Sequence, residues 1–157
     1  MKIYTLKKEQ IIPVDINTAW EYFSNPFNLA NITPPQLGLR IINLDRGDAI
    51  RIYPGMIIEY VVTPLLGIEQ SWITEITHVK EPDFFVDEQR FGPYKFWHHK
   101  HYFTITGEIH VKCTDVVHYS IPFDPLSRIL NRYIISEKLD SIFRYREKVL
   151  TEKFGKI

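Results

Sequence analysis

From Met56 to Pro122 the chain is a series of apolar, β-branched and aromatic segments separated by turns too short to hold a crossover. Met56–Thr63, Ile68–Val79, Phe84–Phe91, Lys95–Thr106 and His110–Ile121 read as strands. Pro64 to Gly67, Glu81-Pro82-Asp83, Gly92-Pro93 and Gly107-Glu108 mark the turns between them. Parallel neighbours need a connection of about a dozen residues or more, so strands joined this tightly pair antiparallel, as a meander.

The flanking segments supply more strand and the helices. The first dozen residues read as a strand ending at Pro13. Asp15 is an N-cap for a short helix over Ile16–Ser24, with Trp20 and Phe23 on one face. Asn25-Pro26 stops it, and a second short helix, Phe27 to Ile32, is stopped by Thr33-Pro34-Pro35. Leu37–Leu44 reads as a strand followed by the turn Asp45-Arg46-Gly47-Asp48, then by a ragged edge broken at Pro54-Gly55. Asp124-Pro125 opens a helix that runs to Phe154 with Gly155 at its end, about 45 Å at about 1.5 Å per residue. Leu126, Ile129, Leu130, Tyr133 and Ile134 share one face of it, whereas Leu139, Ile142, Phe143, Val149 and Leu150 share a nearly opposite one. One straight helix on one surface cannot bury both, so a kink or break is predicted near Ile135–Lys138. No repeat, low-complexity tract or linker interrupts the sequence, and residues 1–157 read as a single α+β domain.

Composition narrows the function classes. Lys plus Arg number 19, as do Asp plus Glu, so the formal net charge is zero and no basic run offers a footprint for nucleic acid or an anionic membrane. Neutrality leaves solubility to surface detail, and a monomer or weak homodimer is expected. The one high fraction is aromatic, 14%, and large rings fill cores or line cavities. A lone cysteine, Cys113, excludes an internal disulfide framework and suits a reducing cytoplasm. No apolar run approaches the roughly 20 residues that span a bilayer, and the charged, alternating N-terminus is unlike a signal peptide, so no membrane insertion is expected.

Beyond the order of elements, a set of short segments carries a resemblance. Asn28-Leu29, Ile32-Thr33-Pro34-Pro35, Trp72, Phe85-Val86-Asp87-Glu88-Gln89, Gly92-Pro93-Tyr94, Trp97-His98-His99-Lys100-His101-Tyr102-Phe103, Asp115-Val116-Val117-His118-Tyr119 and Ile142-Phe143-Arg144-Tyr145-Arg146 follow one another along the chain. Together they resemble bacterial ligand-binding proteins of the START / Bet v 1-like (SRPBCC) superfamily, which includes START domains, the birch-pollen allergen and polyketide cyclases. The resemblance implies a helix-grip fold: a curved antiparallel sheet of six to seven strands, two short helices, and a long C-terminal helix covering a cavity. It implies a small hydrophobic ligand, lipid-, sterol- or polyketide-like, and does not by itself choose between binding and catalysis.

Strand parity proposes the residues that face that cavity. Alternate residues share a face, which groups Trp97, His99, His101 and Phe103, with Phe85, Asp87 and Gln89 before them and Asp115, Val117 and Tyr119 after. Tyr60, Trp72, Ile142, Phe143 and Arg146 complete the expected ligand-binding set. Any one of these polar residues could equally be a core group satisfied by its neighbours. As a constellation they read as an apolar pocket with a few convergent polar groups, in which His99, His101 and Arg146 orient the polar end of a ligand. The alternatives are a cofactor-independent cyclase or isomerase with His99, His101 and Asp87 as acid–base residues, and a regulatory module acting through a partner protein. No nucleophile elbow, phosphate loop or paired-glutamate motif is present, and no cofactor is expected. His99 and His101 with a nearby carboxylate could in principle hold a metal. That reading ranks last, because rings are poor company for a hydrated ion, and no metal is expected.

Overall fold

The computed structural model describes residues 2–45, 50–65, 67–122 and 131–156. Seven antiparallel strands form one sheet: β1 (Tyr4–Ile12), β2 (Arg40–Ile41), β3 (Met56–Leu65), β4 (Ile68–Lys80), β5 (Phe84–Phe91), β6 (Phe96–Gly107) and β7 (His110–Ser120). Their order across the sheet is β1-β7-β6-β5-β4-β3-β2, so the meander is continuous from β2 to β7 and the first strand closes beside the last. Turn chemistry dictated this arrangement, as expected.

The two short helices lie where their caps put them. Asp15 accepts from the backbone N–H groups of Asn17 and Thr18 and starts α1 (Ile16–Phe23). Asn25 does the same for Phe27 at α2 (Pro26–Asn31). α1 packs Trp20 edge-on against Phe85 and Phe103, which seals one end of the inner face of the sheet. The C-terminal helix, α3 (Ser136–Phe154), buries Leu139, Phe143, Arg146 and Leu150. Their spacing of four, three and four residues is one stripe of an α-helix.

Two expectations change. Of the strand expected over Leu37–Leu44, only Arg40–Ile41 pairs as strand, after a 3-10 turn over Pro35–Leu37 and a left-handed Gly38. Beyond it the Asn43 side chain donates to Ile57 O and accepts from Glu59 N, so an amide side chain occupies the place that strand backbone would take. On the long helix, Asn131–Ile135 forms a wide π-type turn that passes into α-helix at Ser136, and Tyr133 and Ile134, expected on its first apolar face, are 66% and 44% exposed. The segment assigned to the first half of that helix, with Leu126, Ile129 and Leu130, lies outside the described residues.

The core has two parts. One, under α1, gathers Trp20, Ile58, Phe85, Phe103 and Val111; the other, under α3, gathers Trp97, Val117, Tyr119, Ile121, Leu139 and Phe143. Cys113 is buried in the first, its thiol pushed up to about 12 by desolvation, and behaves as a small hydrophobe. No helix among the described residues is long and apolar enough to cross a membrane.

Candidate functional site

Between the sheet, the short helices and α3 lies a cavity of about 650 Å³. Most of its wall is apolar. β3 and β4 contribute Ile58, Tyr60, Val62, Trp72 and Ile76, α2 contributes Leu29, and α3 contributes Leu139, Ile142 and Phe143. Of the residues expected to bind the ligand, Tyr60, Trp72, Phe85, Asp87, Trp97, His99, His101, Ile142, Phe143 and Arg146 line this space.

Five do not, and each has a physical reason. Gln89 donates to Tyr94 O (2.6 Å) and accepts from Tyr94 N, so both ends of its amide close the β5–β6 turn. Phe103 is capped by Trp20 and Phe23 of α1. Val117 is fully buried beneath α3, and Tyr119 sits behind the wall against Tyr4, Tyr94 and Trp97. Asp115 lies behind the two imidazoles and Arg146, which stand between it and the cavity.

Those imidazoles form the polar end of the cavity. In the sheet, Asp87 of β5 stands opposite His99, and Asp115 of β7 stands opposite His101. Two histidines two residues apart on the middle strand are thus flanked by one aspartate on each side. Their ring centroids are 3.7 Å apart. His99 Nε2 and His101 Nδ1 lie 2.8 and 2.9 Å from the same oxygen, Asp115 Oδ1, which also accepts from Arg146 Nη1 at 2.8 Å. His101 Nε2 is 2.8 Å from Asp87 Oδ2, and His99 Nδ1 is 3.6 Å from it. Phe85 stacks on the His101 ring at 4.1 Å, and Phe143 carries the Arg146 guanidinium on its face at 4.9 Å.

The charges follow from these contacts. Burial would raise the carboxyl of Asp115, but the Arg146 charge and the two imidazole hydrogen bonds outweigh it and hold the group well below the usual carboxylate range. Asp87 is likewise held down against burial, chiefly by the His101 hydrogen bond. An ionised carboxylate only accepts, so a ring nitrogen 2.8–2.9 Å from one is a donor. His101 has a carboxylate oxygen on each nitrogen. Burial disfavours its charge, yet the bonds to Asp115 and Asp87 win and raise its pKa, making it the imidazolium. Burial and the neighbouring His101 charge lower His99, which is the neutral ring. Two carboxylates, one guanidinium and one imidazolium leave the cluster without net charge.

Parity held more signal than was taken from it. Ile58, Val62, Thr74 and Ile76 share faces with Tyr60 and Trp72 and line the cavity with them. Tyr94, which follows Gly92-Pro93, reads as turn but closes the wall against Trp72 and Trp97 at 5.6 and 4.7 Å. Leu29 and Ile32 had no periodic signal, because α2 is only six residues long.

This architecture, an antiparallel seven-stranded sheet gripping a C-terminal helix around a cavity, is the helix-grip fold of START and Bet v 1-like proteins. Among solved structures the chain is similar to a START superfamily protein from Mycobacterium smegmatis, at 10% identity, with a TM-score of 0.69 over 95% of this chain and 98% of that one. It is also similar to truncated norcoclaurine synthase from Thalictrum flavum (15% identity, TM-score 0.65, 96% and 95% covered) and to Ara h 8.0201 (16%, 0.59, 96% and 99%). These identities carry the fold and nothing finer. No protein-family model and no curated protein matches the sequence.

Proposed function

We propose that this protein reversibly binds a small hydrophobic or amphipathic molecule in the cavity, with the polar end of the ligand at Arg146 and the imidazole pair. One observation carries the reading: a cavity of about 650 Å³ with a mostly apolar wall is lined at one end by Arg146, His99 and His101. Affinity comes from the apolar area the ligand buries, about 25 cal/mol per Å². The open volume favours this over a module driven by a protein partner, whose core would be filled. The setting proposed with it is cytoplasmic, as a monomer or weak homodimer, with no nucleic acid and no membrane insertion.

Native mass spectrometry of freshly purified protein tests the reading directly. The expected result is a mass increment that organic extraction removes, together with a change in tryptophan fluorescence on re-addition, since Trp72 and Trp97 line the cavity. Protein that is empty as purified and takes up neither fatty-acid nor sterol probes would sink it.

A second reading has its own support. His99 is neutral, faces the cavity and has only one short hydrogen bond, so its Nδ1 could take a proton from a bound substrate. A cofactor-independent cyclase or isomerase of this kind fits the synthase among the structural neighbours. It requires a pH-dependent turnover that His99→Ala removes while ligand uptake persists.

A further inference from the structure

The imidazoles of His99 and His101 each face Asp115 with one nitrogen and the cavity side with the other. The inner nitrogens, His99 Nε2 and His101 Nδ1, share the oxygen Asp115 Oδ1, at 2.8 and 2.9 Å. The outer ones, His99 Nδ1 and His101 Nε2, converge on Asp87 Oδ2, at 3.6 and 2.8 Å. One ligand atom from each of Asp87, His99 and His101 lies within 4.8 Å of those of the other two. We propose that Asp87, His99 and His101 bind a divalent transition-metal ion at the cavity wall, with its remaining coordination positions open to the cavity.

Three features of the site argue for it. The first is metric: donors about 2.1 Å from a common ion sit about 3.0–3.4 Å from one another in octahedral or tetrahedral arrangements, and the separations of 2.8 and 3.6 Å bracket that range. The second is orientation. A metal-ligating histidine almost always gives its other N–H to a carboxylate or carbonyl, which fixes tautomer and ring direction. Here one carboxylate does so for both rings, and Arg146 fixes that carboxylate in turn at 2.8 Å. The third is charge, because once the ion has displaced the His101 proton, two carboxylates against one guanidinium leave the site one unit negative around it. The aromatic neighbours hold the ligating rings in place: Phe85 stacks on His101 and Phe143 stands edge-on to His99. Two imidazoles with one carboxylate select zinc, cobalt or iron over magnesium or calcium.

The inference is independent of the organic ligand, so its test uses protein stripped of both lipid and metal. Titration with Co²⁺ at about pH 8, above the ordinary imidazole value so that the ion readily displaces the His101 proton, is expected to give saturable visible absorption at one ion per chain, displaced by Zn²⁺. His99→Gln and His101→Phe, checked for folding by circular dichroism, should each lose the band. Asp115→Asn, a positioning change, should keep the stoichiometry and weaken binding about 10- to 100-fold. The double variant His98→Ala/His118→Ala, on the opposite face of the sheet, should bind as the parent does. No saturable binding by the parent chain overturns the proposal without any variant, as does a band that survives in folded His99→Gln or disappears with His98 and His118. A negative result here leaves the organic-ligand reading standing, and protein free of organic ligand leaves this one standing.

Discussion

Asp115 is the residue on which the cluster depends. A single oxygen of it accepts from His99, His101 and Arg146, and all four side chains are at least nine-tenths or nearly nine-tenths buried. Burying a paired charge is close to neutral in net stability, but removing one partner strands the others in low dielectric. Asp115→Ala is therefore expected to cost about 3–5 kcal/mol in urea denaturation. Arg146→Met should cost clearly less, because Asp115 keeps both imidazoles and the methionine refills the space above Phe143. Equal losses would show that the network depends on the guanidinium as much as on the carboxylate. The sequence pointed to these residues because alternation puts Asp87, His99, His101 and Asp115 on one face of their strands; the register that sets Asp87 opposite His99 and Asp115 opposite His101 is fixed by the turns. Which nitrogen met which oxygen did not follow, since that depends on ring rotation within a packed layer.

At the scale of elements, the misreadings share a cause. Where a side-chain amide substitutes for backbone, period-two reasoning fails, and it failed at Asn43 and at Gln89. The β5–β6 turn shows how much rests on such a substitution. A Cβ on Gly92 would fall 2.5 Å from Gln89 Oε1 and 2.8 Å from its Cδ, so the amide clamp and a side chain at 92 cannot coexist. Gly92→Ala should release Gln89 from Tyr94 and loosen the aromatic wall of Tyr94, Trp72 and Trp97. The expected loss is about 1–3 kcal/mol, two hydrogen bonds' worth, with tryptophan emission shifted to the red. Unchanged stability with unchanged emission would show the clamp to be dispensable. The turns themselves, and hence the meander, were legible because proline and glycine punctuate every one of them.

For the whole molecule, the buried cluster imposes a pH dependence whose sign can be worked out. The metal-free protein, held in chelator, is the relevant species. His101 has a raised pKa in the fold, so its contribution is present below the ordinary imidazole value, about 6.5, and is lost as pH rises through the raised value. His99 has a lowered pKa, so its contribution is present above about 6.5 and is lost as pH falls. The folded pair thus holds one proton between them, while the unfolded pair holds two below that value and none above it. Stability therefore rises with pH on the acid side and falls on the alkaline side, each limb approaching one proton, about 1.4 kcal/mol per pH unit. The groups facing the pair reinforce the acid limb: Asp87 and Asp115 are both depressed, so their contribution is present above about pH 4 and declines below it. Arg146 keeps its charge throughout the range. Urea denaturation from pH 4 to pH 9 should accordingly trace a maximum near pH 6.5, and His101→Phe should remove the alkaline limb while leaving the acid one. A profile that is flat between about pH 6 and 8 in the parent chain would mean that the two imidazoles do not share a proton, and the charge assignment of the cluster would have to be abandoned.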